Sequence, residues 1–303
     1  MLKFTELTKR NLRIYFRDFG AIFFSLLTML IVILLMTFFL GDMNVESITD
    51  ILAYYPGRDA DADKKNAQLL VFAWTCAGVL SINAVTVTLA AYSGMIKDRV
   101  SGKLNAIYTS SAGQLTIASS YVASAWVASV LVCVLTLMIL EVIGVSRGMD
   151  WFSPTQHAKL FGMIMVNSFT YAAFMYLLSH LAKSEGAWSG LGTVIGTLVG
   201  FFGGIYIPIG GLSDAVGAVM KCTPVIYGAS MFRKVMTESV LADTFDGISS
   251  EVIDEYRLAM GIDLEIGSKA VSLTQAWWIL LTCGIMFLIL GAVILWKSKK
   301  TDR

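Results

Sequence analysis

Six mostly apolar runs, each about long enough to cross a bilayer as an α-helix, constrain this chain more than any other feature. A spanning helix needs about 20 predominantly apolar residues to cross about 30 Å of hydrocarbon. The composition agrees, because 56% of the residues are hydrophobic and 15% are charged, against about 25% charged in soluble domains. We therefore predict an all-α membrane protein, a single domain over residues 1–303, with six transmembrane helices. Their predicted bounds are 20–40, 69–92, 118–143, 160–182, 186–207 and 275–296.

The segment before the first run predicts an amphipathic helix. Residues 1–18 contain five basic side chains, with aromatic and aliphatic residues interleaved at roughly helical spacing. Such a helix lies in the membrane interface with its apolar face toward the lipid. The alternative is a hydrated positive flank that only orients the first span. The run at 20–40 ends without a small-residue cleavage pattern, so we predict a retained span rather than a signal peptide.

Four segments are predicted on the far side of the membrane from the termini, of which residues 144–159 form a short loop. Residues 43–67 are polar and acidic and are predicted as a loop. Residues 208–235 are apolar but interrupted by glycines and prolines. They predict a re-entrant pair of short helices before the last span, because broken backbone at membrane depth needs protein or water around it. Residues 236–274 predict an external loop with one helix near 250–260, which starts at Ser249 or Ser250 and stops at Gly261.

The loop at 96–117 lies between the second and third runs and is basic. Lys97, Arg99 and Lys103 stand against one acid, Asp98. Cytoplasmic loops of membrane proteins are enriched in lysine and arginine in this way. Basic clusters also occur at both ends of the chain, and an even number of spans puts both termini on one side. We therefore predict that the termini and this loop face the cytoplasm.

Glycine recurs every four positions in the fifth run, at Gly192, Gly196, Gly200 and Gly204. Residues four apart share one face of a helix. Small residues on such a face let another helix approach closely within a membrane. The pattern predicts a helix-packing seam, and its functional alternative is a seam that slides or opens during transport.

Side chains that could carry catalysis or hold a metal are sparse. His180, Glu185 and Ser189 crowd one helix end and turn, whereas a hydrolase needs a base, a nucleophile and an oxyanion site that converge from set positions. The four cysteines are scattered, without the spacing of a metal site. The phosphate-binding pattern G-x-x-x-x-G-K-[ST] is absent from the sequence. We therefore predict no enzyme active site, no metal and no cofactor bound by this chain.

The sequence at the basic loop resembles that of a known family. Residues 98–104, Asp-Arg-Val-Ser-Gly-Lys-Leu, followed by Ile-Tyr-Thr at 107–109, are similar to the acidic-x-x-x-Gly-Thr-Leu-x-x-Leu signature of the ABC-2 type exporter permeases. Lys103 replaces the usual threonine, and Ser110 stands where a proline is common. Residues 203–212 and 224–227, followed by Arg233, are similar to the segment after the fifth span in that family.

This resemblance implies the membrane subunit of an ATP-driven exporter. Two such subunits, like or unlike, would form the pathway in the inner membrane of a bacterial cell, without nucleic acid. Separate ATPase subunits would bind ATP and Mg beneath them. The loop would act as the coupling helix through Lys97, Asp98, Arg99, Gly102, Lys103, Leu104, Ile107 and Tyr108. The re-entrant segment would close the outer end of the pathway through Pro208, Pro224 and Tyr227.

The evidence in the sequence for the cargo is the apolar character of the spans. The apolar spans favour an amphipathic cargo such as a drug or an antimicrobial peptide. One alternative is a membrane-anchored sensor or immunity protein that binds through the acidic outer loops and needs no ATPase. Another is an ATP-independent channel or carrier, which the absence of paired ionisable residues in the middle spans disfavours.

Overall fold

Helices make up nearly all of the chain in the computed structural model, which describes residues 2–36, 41–108, 112–267 and 269–301. Two strands of two residues each, β1 (Glu265–Ile266) and β2 (Lys269–Ala270), pair as an antiparallel hairpin. The helices of the described residues are α1 (Leu2–Arg17), α2 (Phe19–Leu35), α3 (Gly41–Ala53), α4 (Ala60–Val100), α5 (Lys103–Tyr108), α6 (Gln114–Ser146), α7 (Pro154–Ser179), α8 (Glu185–Phe202), α9 (Asp214–Lys221), α10 (Pro224–Met236), α11 (Glu238–Thr244), α12 (Ser250–Ala259) and α13 (Leu273–Thr301).

The centre of the bundle is α4, whose 41 residues span about 60 Å at 1.5 Å per residue. Its apolar middle is buried on every side, as expected of a helix that is hydrophobic all round. Its neighbours are α1, α2, α3, α5, α6, α7, α8, α10 and α11. We call the end of α4 near Val100, with α1 and α5, the basic end. We call the opposite end, with α3, α11, α12 and the hairpin, the acidic end.

Four of the described helices are long and apolar enough to cross a membrane, namely α4, α6, α7 and α13. They coincide with the predicted second, third, fourth and sixth spans. The predicted first and fifth spans fall on α2 and α8, whose described lengths are 17 and 18 residues. Residues 37–40 of the predicted first span lie outside the described part of the chain. The count of six spans and the interfacial position of α1 therefore remain predictions.

The predicted re-entrant segment at 208–235 contains a 3-10 turn at Ile209–Gly211 and the bent pair α9 and α10. The two helices meet at 89°, which is the geometry of a broken span or of a re-entrant loop. If the pair counts as one span, the described residues contain up to five. Pro224 is the first residue of α10, where its missing N–H leaves no intrahelical bond unmade.

The acidic end is folded, which corrects the prediction of a loop over 43–67. That range contains α3 and the first turns of α4. The predicted helix near 250–260 is confirmed as α12, which follows Ser249 and ends before Gly261, a residue at φ +62°. A second apolar cluster joins these elements through Ile48 and Leu52 of α3, Trp74 of α4 and Phe245 after α11. The sequence did not predict this cluster, because the charged residues on the exposed faces of these helices make the segments polar on average.

Arg233 of α10 is fully buried where the acidic end meets the bundle. Its Nη2 donates hydrogen bonds to the carbonyl oxygens of Gly203 and Gly204, at 3.0 and 2.8 Å. Its guanidinium also lies 4.2 Å from the ring centroid of Trp74, which adds a cation–π attraction. None of the described carboxylates pairs with it, so backbone dipoles and an aromatic ring stabilise this charge.

We predict that Arg233→Met lowers the apparent melting temperature of the purified protein by at least about 5 °C. The substitution leaves buried carbonyl oxygens without donors, at about 1–3 kcal/mol each. Arg147→Met is the matched control, because Arg147 also covers an aromatic ring, that of Phe72 at 4.5 Å, but is exposed. The control should change the melting temperature by less than about 2 °C. Equal shifts in the two variants would contradict the assigned role of Arg233.

Asp263 links α12 to α10 through two ion pairs. Its carboxylate oxygens lie 2.6 Å from Arg257 Nε and 2.8 Å from Lys234 Nζ. Partial burial acts to raise the pKa of Asp263, but the hydrogen bonds from Arg257 and Lys234 outweigh it and hold the pKa below its ordinary value. A lowered pKa means that these contacts stabilise the fold above about pH 4 and that this contribution is lost as the pH falls through the folded-state pKa.

We therefore predict that Asp263→Asn is less stable than the unchanged chain at pH 7 and that the difference shrinks below pH 4. Melting temperatures measured across this range test the point. Asp243→Asn, an exposed acid of α11 without an ion pair among the described residues, should show no such pH-dependent difference. A difference for Asp263→Asn that persists undiminished at pH 3 would refute the linkage.

Candidate functional site

A short helix stands between two long ones at the basic end. α4 ends at Val100, Gly102 turns the chain at φ +75°, and α5 follows over Lys103–Tyr108. A residue with a side chain is strained at such a φ, so glycine suits this turn. Residues 109–111 lie outside the described part of the chain, and α6 begins at Gln114. The predicted loop at 96–117 therefore contains a helix of its own beyond the end of α4.

Asp98 joins three helices at this end. Its carboxylate is buried, and Oδ2 lies 2.8 Å from Arg10 Nη1 of α1. The hydroxyl of Tyr121 on α6 donates to the same oxygen at 2.8 Å. The hydrogen bond to Asp98 raises the pKa of Arg10 above its ordinary value, so Arg10 stays charged. Because Arg10 is about one-third exposed, this pair keeps partial contact with solvent.

Arg99 connects the same region to the end of α7. Its Nη1 donates to the carbonyl oxygens of Ser179 at 2.6 Å and Ala182 at 3.1 Å. The last carbonyl groups of a helix have no intrahelical partner and carry the negative end of the helix dipole. Arg99 therefore ties the end of α4 to the turn between α7 and α8.

The predicted coupling residues divide into two groups. Asp98 and Arg99 bind within the chain, and Leu104 is buried at 3% exposure. Ile107 is partly buried against the core. Lys97, Gly102 and Lys103 are exposed, and the side chain of Tyr108 lies outside the described part of the structure. Pairing of Asp98 and Arg99 with a partner's charges, as expected from the sequence, would compete with contacts that they already make.

Sequence reasoning missed the partners of these residues. Arg10 lies 88 positions from Asp98 along the chain, and Tyr121 lies in an apolar run that was assigned only to spanning. The sequence predicted only that α1 and the loop lie at the same membrane face. That prediction places the two segments near each other but does not show which arginine pairs with which acid.

The four spaced glycines do not form one continuous seam within the chain. Gly192 faces Leu89 of α4, the face of Gly196 is open, and the ring of Tyr206 covers Gly200. Gly204 lies beyond the end of α8, at φ +61°. The chain's own packing does not cover all four residues in one seam, because α8 ends at Phe202 and the chain turns back over its last helical turn. A packing seam for another helix at these glycines stays a prediction.

The residues predicted to form an outer gate shape the bent segment. Pro208 precedes the 3-10 turn, Pro224 starts α10, and Tyr227 is buried. The Tyr227 hydroxyl donates to the carbonyl oxygen of Lys221, at the end of α9, at 2.8 Å. This hydrogen bond holds the corner between α9 and α10. Whether the three residues form a gate stays a prediction.

A cavity of about 700 Å³ lies between the start of α2, the C-terminal half of α4 and the start of α8. Thr86, Ser93, Ser189 and Thr193 give it hydroxyl groups, and Lys97 and Glu185 add charge. Leu89 and Trp188 give it apolar surface. The volume is within the range of about 300–1,000 Å³ that is typical of small-molecule sites. Its mixed lining suits an amphipathic ligand.

His180 and the potential metal ligands make no catalytic constellation in the described residues. His180 Nδ1 lies 2.9 Å from the carbonyl oxygen of Tyr176, one turn earlier on α7. Its ring packs against the ring of Tyr176 rather than against Glu185 or Ser189. Within the described ranges, no group of three or more His, Cys, Asp and Glu side chains is arranged to hold a metal ion.

The long apolar helices and the charged ends define a multi-pass membrane protein. A family model described as ABC-2 family transporter protein matches residues 58–295. The chain therefore belongs to the ABC-2 family of transporter proteins. No curated protein sequence matches the chain.

We predict that Asp98→Asn loosens α1 from α4 and α6. The change removes the charge that Arg10 and Tyr121 share, at about 1–3 kcal/mol for a partly exposed pair. Lys97→Gln is the control, because Lys97 is the adjacent residue and is exposed. Limited trypsin cleavage within residues 2–17, followed by mass spectrometry, should be faster for Asp98→Asn than for the control. Equal cleavage rates would show that the pair does not hold α1.

Proposed function

We propose that this chain is the transmembrane permease subunit of an ATP-binding cassette exporter. The observation that carries the proposal is α5, a short helix with an exposed face that stands between the two long helices α4 and α6 in a chain of the ABC-2 family. Such a helix would give a separate ATPase subunit a small, structured docking surface on the transmembrane domain. This chain would bind no nucleotide itself, and ATP and Mg would bind to the partner.

The contacts at the basic end support a mechanism for transmitting motion. Leu104 anchors α5 in the core, while Lys103 and Asn105 on the same helix are exposed. A displacement of α5 by the ATPase would therefore move its anchor. Asp98 would carry that motion to α1 and α6, and Arg99 would carry it to the end of α7. In this proposal Asp98, Arg99 and Leu104 transmit force, and Lys97 and Lys103 meet the partner.

Charge supports an orientation with both termini and α5 in the cytoplasm of a bacterial cell. The basic end carries Lys97, Arg99 and Lys103 together with the arginines and lysines of α1. Lysine and arginine near the ends of spans favour the cytoplasmic side. The acidic end would then lie outside the inner membrane, and the cavity beside α8 would face the cytoplasmic half of the bilayer.

The pathway would form between two such chains, like or unlike, within the lipid bilayer. The open face of Gly196 is available for close approach of a second chain's helix. The mixed lining of the cavity between α2, α4 and α8 supports export of an amphipathic cargo, such as a drug or an antimicrobial peptide. No part of the proposal involves nucleic acid.

The test is a pull-down of the detergent-solubilised chain from its own cells, with ATPase activity measured on the eluate. We predict that an ATPase co-purifies with the unchanged chain and is lost or uncoupled with Lys103→Glu. Lys64→Glu is the matched control, since Lys64 is an exposed lysine at the acidic end, and it should retain the ATPase. A chain that elutes alone under mild conditions would favour the sensor, channel or carrier alternatives and contradict the proposal.

A further inference from the structure

A groove of about 430 Å³ lies between α3 and α12 at the acidic end. Ser47 and Ile51 line it from one face of α3, four residues apart, and Tyr54 lines it from the turn directly after α3. Val252, Glu255, Tyr256 and Ala259 line it from one face of α12, with Tyr55 and Met260 at its edges. The groove therefore combines aliphatic surface, tyrosine rings and one carboxylate.

The groove presents aromatic surface to solvent. The side chain of Tyr54 is 87% exposed, although Leu52, two residues earlier, is buried. The ring of Tyr256 is buried and packs on Phe245 with ring centroids 4.9 Å apart. Burial raises the pKa of Tyr256 above its ordinary value, so this ring stays uncharged at neutral pH. Glu255 is thus the charged group that lines the groove.

The charge around the groove is strongly negative. Residues 41–67 and 237–272 contain fourteen acidic and five basic residues, although the whole chain has a net charge of +1. Asp50 and Glu251 lie one turn from Tyr54 and Glu255 respectively, and both are exposed. Neither these two nor Glu255 forms an ion pair with a described residue. Their field attracts cations and repels a second copy of the same acidic surface.

We propose that this groove binds a cationic amphipathic peptide. A lysine or arginine of the peptide would meet the Glu255 carboxylate and the face of Tyr54, since tyrosine rings attract cations. A neighbouring apolar side chain would pack on Ile51, Val252 and Met260. The site lies at the opposite end of α4 from α5, so binding requires neither the ATPase nor transport. It would face the outside of the cell only if the proposed orientation holds.

The experiment measures peptide binding to the full chain in nanodiscs of zwitterionic lipid, which avoids attraction of the peptide to anionic lipid. The probe is a fluorescently labelled peptide of lysine, leucine and tryptophan, and its anisotropy reports binding. A peptide with glutamate in place of lysine, and one with serine in place of leucine and tryptophan, are the ligand controls. We expect binding of the first peptide and at least tenfold weaker binding of the other two, about the effect of losing one close contact.

Two variants separate the groove from the general negative field. Glu255→Lys should weaken binding about tenfold or more, and Tyr54→Ala should weaken it several-fold. Asp243→Lys changes the net charge by the same amount on α11, outside the groove lining, and should weaken binding less than about twofold. All three positions are exposed, and unchanged melting temperatures would exclude loss of the fold.

Three outcomes would overturn the proposal. Equal weakening by Glu255→Lys and Asp243→Lys would mean that the peptide responds only to the diffuse field. Binding of the serine-substituted peptide as tight as that of the first would remove the role of the apolar surface. A dimer of the unchanged chain that Tyr54→Ala and Glu255→Lys both dissociate would assign the groove to a second copy. None of these outcomes bears on whether an ATPase co-purifies, so the exporter proposal is tested separately.

Discussion

The architecture depends on one helix that is buried on all sides along its apolar length. A helix can occupy such a place because its backbone N–H and C=O groups are satisfied within the segment, so its burial leaves few backbone groups without a hydrogen-bond partner. α4 uses this property to pack against nine other helices of the described chain. It also runs from the acidic end to the basic end without a break, so it is the element that connects the two regions for which functions are proposed.

Charges are buried at both ends of α4, but in different ways. At the basic end, Asp98 receives an arginine and a tyrosine hydroxyl, and the pair remains in partial contact with solvent. At the acidic end, Arg233 is held by carbonyl oxygens and the ring of Trp74. A charge without its partners is costly in such places. Asp98 therefore holds α1 and α6 against the end of α4. Arg233 holds α10 against α4 and against the turn that follows α8.

Membership of the ABC-2 family gives the class of transporter, and the structure gives the contacts through which the proposed coupling would act. α5 is short and anchored by Leu104. The end of α4 just before it reaches α1, α6 and α7 through a few directional contacts of Asp98 and Arg99. Because a hydrogen bond has a preferred distance and angle, a displacement of one partner strains the contact or moves the other partner. The acidic end shares none of these contacts, which is why we treat its groove as an independent binding site.

Patterns within single segments were enough to predict the membrane class, four of the spanning helices, the start and end of α12, the break before α10 and the resemblance to the family. These features are local, because they depend on apolar length, on turn residues and on runs of charge within one segment. The same local reasoning failed for 43–67, where polarity predicted a loop over α3. The glycine spacing also did not show that α8 ends at Phe202, before the last of the four glycines. The folded chain was needed to show that Asp98 meets Arg10, that Arg233 binds the carbonyls of Gly203 and Gly204, and that α3 and α12 enclose a groove. Contacts between segments far apart in the chain depend on how the helices pack, and no pattern within a single segment specifies that packing.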